Sequence, residues 1–273
     1  MSFLQIFRSS VWECVHRVSG QRYCAKLCTS SNEIRMFRSA QGDNHIVRLQ
    51  ETLPTSKMRQ YMVMEYIDGG NLLSAVVQKG RLSEDKIRGI ARQLSQALLH
   101  LHTVAHMTHN DICPANILLQ QQDGNNWVVK LADFGAARSS SQPSRGSVLP
   151  SGWHQAPERK PSPAADMWSV GALVLFCWHG NAEFSFQSPY GGLSRPCKQF
   201  LTQVLSPDPE VRLTAEEALE HAWIGAPPPL QEEPEVVIRG RPRWRALWRC
   251  RRTNHDHQSS TETSTLGSIG GFN

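Results

Sequence analysis

The side chains with the greatest capacity for chemistry fall in three short motifs. His109-Asn110-Asp111-Ile112-Cys113-Pro114-Ala115-Asn116 comes first, Lys130-Leu131-Ala132-Asp133-Phe134-Gly135 second and Ala156-Pro157-Glu158 third. Upstream, Cys24-Ala25-Lys26 puts a lysine in a β-rich stretch. These carboxylates, amide and amine are groups that position reactants and offset charge. Taken singly, each has an ordinary structural use. An Asp near a helix start caps it, a lysine on a strand is solvated, and Asp-Phe-Gly makes a turn. Three motifs in this order, with the lysine before them, are not what chance supplies.

The set resembles that of the protein kinases: catalytic loop, β-hairpin, Asp-Phe-Gly, activation segment and Ala-Pro-Glu, over roughly residues 8 to 224. The resemblance implies an α+β, two-lobed kinase fold, with a small β-rich N-lobe and a larger helical C-lobe. It implies transfer of the γ-phosphoryl group of ATP, with Mg²⁺, to a protein serine or threonine hydroxyl. In that reaction the protein mainly positions groups and neutralises charge. On this basis Asp111 accepts the hydroxyl proton, and Asn116 and Asp133 hold Mg²⁺ through hard oxygen atoms. Lys26 contacts the α- and β-phosphates, with Glu33 as its helix partner. Tyr61 to Ile67 resembles the strand and hinge that receive adenine. Met64 would be the gatekeeper, the backbone of Glu65 and Ile67 would hydrogen-bond the base, and Ala25 and Leu118 would sandwich it. Asp166 is similar to the residue that anchors the catalytic loop, and Arg212 to the partner of Glu158. Ser151 stands where serine/threonine kinases carry a hydroxyl beside the catalytic Asp. Cys14 to Gly20 and the ending His221-Ala222-Trp223-Ile224 look most like the calcium/calmodulin-dependent kinase group. The alternative to an active kinase is a pseudokinase, a nucleotide-binding or scaffolding module.

Departures from the family pattern bear on that alternative. Counting back from Lys26, the Gly-rich loop falls on Leu4 to Ser9, with Leu4 and Ile6 where glycines let the backbone approach phosphates. Only seven positions separate Lys26 from Glu33, fewer than in most kinases. The helix carrying Glu33 must then be short, and the ion pair competes with a surface position for Glu33. Cys113 replaces the catalytic-loop lysine that steadies the γ-phosphate, and an ordinary thiol is mostly neutral at pH 7. Asn110 replaces the arginine that grips a phosphorylated activation loop, so activity is expected not to need that modification. The Ser139 to Ser147 loop is serine-rich. The stretch from Phe184 to Phe200 is short, and Pro189-Tyr190-Gly191-Gly192 reads as a turn, so a peptide-docking surface there is expected to be reduced.

The elements that must position these residues follow from pattern. Gln21 to Leu27, after the turn signal Ser19-Gly20, Ile46 to Thr52 and Gln60 to Tyr66 read as strands. A helix is predicted near Asn32 to Ala40, with Ile34 and Phe37 on one face. Ser83 is the predicted N-cap of a helix from Glu84 to about Thr103, with its stripe at Ile87, Ile90, Ala91, Leu94, Leu98 and Leu101. Ala164 to His179 predicts a buried helix, and Thr214-Ala215-Glu216-Glu217 a capping box. The expected domains are a shortened kinase N-lobe over residues 1–68, a C-lobe over 69–224 and a tail over 225–273.

The 273 residues carry 29 basic and 24 acidic side chains, a net +5. Seven arginines and no acid lie between Val236 and Arg252; removing that +7 leaves −2, so the body is not a basic nucleic-acid-binding domain. Arg239 to Arg252, with Trp244 and Trp248 spaced i,i+4, suits calmodulin, an acidic partner or membrane surface, nuclear import, or a solvated basic tail. Residues 259–273, rich in Ser, Thr and Gly, are expected to be disordered. Seven scattered cysteines without a CxxC pair argue against a disulfide framework or structural zinc and for a reducing compartment. No signal peptide or membrane-spanning run is evident. A monomer in the cytoplasm, with the nucleus as a second location, is the resulting expectation.

Overall fold

The computed structural model describes residues 2–8, 10–55, 59–121, 126–141, 149, 152–182 and 190–225, the side chains of 2–8 excepted. Residues 1–229 form one unit and 230–273 a second. The second unit, and with it the whole arginine segment, lies outside the described residues, as do Ser151, Ser147 and Pro189.

The N-terminal part is a sheet of strands β1 (Ser2–Arg8), β2 (Val11–Val15), β3 (Arg22–Cys28), β4 (Leu49–Pro54) and β5 (Gln60–Glu65), in the order β1-β2-β3-β5-β4. Residues Leu4 to Arg8 of the segment predicted for the Gly-rich loop therefore form most of a strand that pairs antiparallel with β2. One helix, α1 (Ser31–Ser39), interrupts the strands. Ser30 caps it by accepting from the Glu33 N–H, and Ile34, Met36 and Phe37 bury its inner face. β4 begins later than the pattern predicts. Ile46 and Val47 leave the sheet because their segment is tied elsewhere: Val47 N–H donates to the Leu131 carbonyl (3.0 Å) and Leu131 N–H to His45 (2.7 Å).

The remainder is mainly helical. α2 (Leu72–Lys79) and α3 (Glu84–Leu99) precede the short strand β6 (Met107–Thr108). The hairpin β7 (Ile117–Gln121) and β8 (Trp127–Leu131) follows, with β9 (Arg138–Ser139) pairing with β6. Helices α4 (Pro163–His179), α5 (Arg195–Val204), α6 (Ala215–Glu220) and α7 (Ala222–Gly225) complete it. Every residue of α4 from Ala165 to Cys177 is buried, which accounts for its nearly uniform apolar sequence. The predicted stripe of α3 is buried throughout. Two details of α3 differ from expectation. Ser83 makes no side-chain capping bond, and the last predicted turn is a π-turn, His100–Val104. The His100 ring lies 3.2 Å from the carbonyls of Ala40 and Gln41, so the widened turn holds the end of α1. The Thr214–Glu217 capping box forms as predicted.

No helix among the described residues is long and apolar enough to cross a membrane.

Candidate active site

The strand bearing Lys26 ends at Cys28, and α1 starts at Ser31. Glu33 therefore enters in the first helical turn, and the short connection suffices. Lys26 Nζ lies 2.6 Å from Glu33 Oε1 and 2.8 Å from Asp133 Oδ1. A surface position for Glu33 is excluded, since the residue is buried. Burial alone would lower the Lys26 pKa, but Asp133 and Glu33 outweigh it and hold the ammonium charged. Burial likewise opposes the Asp133 charge, and Lys26 overcomes it, keeping the carboxylate ionised.

Asp133 adopts a left-handed backbone (φ 65°), and Phe134 is buried, its ring 5.1 Å from Phe37 and 4.9 Å from His109. Aromatic packing thus joins α1, the Asp-Phe-Gly turn and the catalytic loop.

The catalytic loop hangs on one buried carboxylate. Asp166, at the start of α4, accepts from the backbone N–H of His109 (2.9 Å) and of Asn110 (2.8 Å), and lies 3.0 Å from the His102 ring. Asn110 takes the left-handed conformation (φ 67°) that Asn tolerates well. Its amide donates to the carbonyls of Thr108 (3.3 Å) and Ala136 (3.1 Å), and its own carbonyl accepts from Gln155 (3.2 Å). A hydrogen bond from the Asn110 side-chain amide to the segment after Asp-Phe-Gly thus stands where the resemblance led one to expect an arginine.

Asp111 is held on both oxygens. Asn116 Nδ2 donates to Oδ2 (2.9 Å) and to the Asp111 carbonyl (2.9 Å). His154 Nε2 lies 3.6 Å from Oδ1. His154 is the largest cause of the lowered Asp111 pKa; burial opposes it, and His109 and Asn116 add to it.

The metal assignment fits the chemistry of these donors. Asn116 donates through Nδ2, which leaves its Oδ1 for a cation. The described bonds of Asp133 involve Oδ1, which leaves Oδ2. Two protein oxygens are few, but Mg²⁺ in such sites takes its other ligands from phosphates and water.

Around the base-binding region one expectation is corrected. Side chains alternate along a strand and share a face with their cross-strand partners. Ala25 pairs with Trp12 and Val63, Cys24 with Glu13 and Met64, and Lys26 with Val11 and Met62. Ala25 therefore lies on the face opposite Lys26, and Cys24 shares the Lys26 face with Met64 and Val11. Cys24 is half-buried, and burial pushes its thiol up to about 12. The Glu65 N–H donates to the Arg48 carbonyl (3.0 Å), so this donor is engaged within the protein. The Glu65 carboxylate binds Lys130 (2.9 Å). Ile67 is half-buried beyond the end of β5. Leu118 pairs with Lys130 and bridges to Asn71. Gly69 permits this approach: a Cβ there would meet the Leu119 carbonyl oxygen at 1.9 Å.

Below the site, Arg212 grips Glu158 with two bonds (2.7 and 3.0 Å), as the sequence suggested, and also donates to the Ser206 and Ala164 carbonyls. Gly191 and Gly192 form the predicted turn, and α5 starts soon after at Arg195.

Sequence reasoning missed Cys24, Val11, His102 and His154. For Cys24 the signal was available: it stands two residues before Lys26, the spacing of one strand face.

The chain belongs to the protein kinase family, whose domain model matches residues 8–224. Among its relatives, serine/threonine-protein kinase DCLK3 of Mus musculus is 30% identical over 250 residues, covering 79% of this chain and 31% of that protein. Calcium/calmodulin-dependent protein kinase type 1 of Caenorhabditis briggsae is 31% identical over 215 residues, covering 71% of this chain and 59% of the relative. The Caenorhabditis elegans protein of that name is 31% identical, with 71% and 61% covered. The chain thus spans between about a third and three fifths of the length of these relatives. Family and relatives agree with the α+β two-lobed kinase reading and with the calcium/calmodulin-dependent kinase resemblance.

Proposed function

We propose that this chain is an ATP- and Mg²⁺-dependent serine/threonine protein kinase. The observation that carries the reading is the joint placement of Lys26 between Glu33 and Asp133 and of Asp111 against Asn116. Asp111 receives the proton of the substrate hydroxyl, Asn116 and Asp133 hold Mg²⁺, and Lys26 orients the α- and β-phosphates. Mg²⁺, when bound, offsets the charge that develops on the transferring phosphoryl group. Cys24, Met64 and Leu118 flank the adenine, with the Glu65 carbonyl and Ile67 N–H as its backbone partners. The Asn110–Ala136 bond supports activity without activation-loop phosphorylation. Residues 1–68 and 69–224 are the two lobes, and 225–273 a tail whose Arg239–Arg252 segment suits calmodulin or another acidic partner. A soluble monomer in the cytoplasm or nucleus, without a specific nucleic-acid partner, fits this reading.

Cys113 and the strand that stands for the Gly-rich loop favour a second reading, a pseudokinase that binds nucleotide or scaffolds. Turnover of ATP·Mg²⁺ on a serine/threonine peptide library separates the two. The kinase reading expects transfer well above that of Asp111→Asn and Asp133→Asn. No transfer above those controls, with a thermal shift by ATP, establishes the pseudokinase.

A further inference from the structure

Cys113 leaves the base without the cation its family usually places there. Among the described residues, His154, Asn116 and His109 are the neighbours that favour the Asp111 charge. His109 is buried and its ring is engaged with the Ala132 carbonyl (3.2 Å) and the Asp111 N–H (3.3 Å). Asn116 serves Oδ2. His154 addresses Oδ1 at 3.6 Å, an electrostatic approach longer than a direct hydrogen bond.

The imidazole is held for that position by three independent features. The His154 carbonyl accepts from Ser169 Oγ of α4 (2.7 Å). Its ring meets Trp153 edge-on at 5.4 Å, and Trp153 stacks on Phe176, also of α4, at 5.2 Å. Gly152 clears the space: a Cβ there would lie 2.9 Å from His154 Cε1 and 3.2 Å from Nδ1. The same helix α4 carries Asp166, which anchors the catalytic loop. Base and imidazole are thus referenced to one rigid element.

We propose that His154 is a positioning residue for phosphoryl transfer, holding the Asp111 carboxylate from the side opposite Asn116 and offering beside it the N–H donor that Cys113 cannot. This rests on the kinase reading above. In the transfer the hydroxyl O–H bond breaks, its proton passes to Asp111, the oxygen bonds to the γ-phosphorus, and the bridging P–O bond breaks with its electrons leaving on ADP. His154 neither gains nor loses a bond. It fixes which way the Asp111 lone pair points, and displacement of such a group by about 1 Å can cost on the order of 10²-fold.

The test uses the full chain, steady-state kinetics on a serine/threonine peptide, the ATP·Mg²⁺ dissociation constant and the melting temperature. His154→Ala is expected to lower kcat by about 10- to 100-fold while leaving the nucleotide dissociation constant and the peptide KM unchanged. His154→Gln, which keeps an N–H donor, should recover most of the loss. Gly152→Ala, which crowds the ring, should lower kcat in the same way. Cys113→Lys should help the His154→Ala protein more than it helps the unmodified one, because the two groups serve the same carboxylate. If His154→Ala does not fold, the Gln and Gly152 variants decide alone. Transfer by the unmodified chain with kcat unchanged in all three variants overturns the His154 role and leaves the kinase reading intact. An equal loss in Gln and Ala with weakened nucleotide binding also overturns it, as that is a structural effect. No transfer above the Asp111→Asn control overturns both.

Discussion

The two halves of the site are built to different rules. On the proposed kinase reading, the half that faces the nucleotide keeps the family's full charge set, with Lys26 between two carboxylates and Asp133 held ionised by it. The half assigned on that reading to the phosphate acceptor keeps Asp111 but has exchanged its neighbours: Asn110 for an arginine, Cys113 for a lysine, and His154 beside the proposed base. A lysine between two carboxylates cannot be traded without leaving a buried charge unpaired, which costs several kcal/mol. A base needs only some donor on each oxygen, and donors of several kinds serve. The first half is therefore constrained by charge, whereas the second tolerates substitution of parts.

The comparison breaks most sharply under loss of the two aspartates. Asp111→Asn and Asp133→Asn should each lower transfer by about 10²- to 10⁴-fold. They should differ in nucleotide binding, which calorimetry with ATP·Mg²⁺ measures: Asp133→Asn weakens it and Asp111→Asn leaves it unchanged. Equal weakening by both would mean the halves are not separable. A change in the frame beneath both should not discriminate. Arg212→Ala leaves the Glu158 carboxylate without its bidentate partner and should cost about 3–5 kcal/mol of stability. Thermal unfolding reads it, and below the midpoint the ratio of nucleotide affinity to turnover should be unaltered. Cys113→Lys sharpens the acceptor half, since a cation returned there should raise kcat by about 10-fold with the nucleotide constant unchanged. A fall in kcat would show that His154 and Asn116 already fill that space. The smallest effect belongs far from either half: Thr214→Ala removes the α6 cap and should cost about 1 kcal/mol in melting experiments, with kinetics unaltered.

Much of this was legible in the chain because it is local or carried by motifs. The helix with Ile34 and Phe37 buried, the uniformly apolar α4 and the Thr214 box each declare themselves within a few residues. Lys26, Asp111, Asn116 and Asp133 could be picked out from motif order, whereas Glu33 could not be settled between the Lys26 ion pair and the surface. Ile46 and Val47 were not, because their strand-like pattern is overruled by hydrogen bonds to Leu131, far along the chain. Linear order along the motif does not reveal that Ala25 faces away from the Lys26 side. The sheet register assigns faces, and it gives the Lys26 side to Cys24.

By itself, then, the sequence determined the family and the two-lobed architecture and picked out the ionisable residues proposed for the chemistry, since spacing within motifs and apolar periodicity are properties of the chain alone. Three things waited for the tertiary structure. Whether seven positions suffice to bring Glu33 to Lys26 depended on where α1 starts after β3. What replaces the arginine before Asp111 depended on the distance from Asn110 to Ala136. What stands beside Asp111 depended on Trp153, Gly152 and α4 bringing His154 across 43 residues of chain (111 to 154). Each is a matter of two segments meeting in space, and periodicity along one segment holds no information about the other.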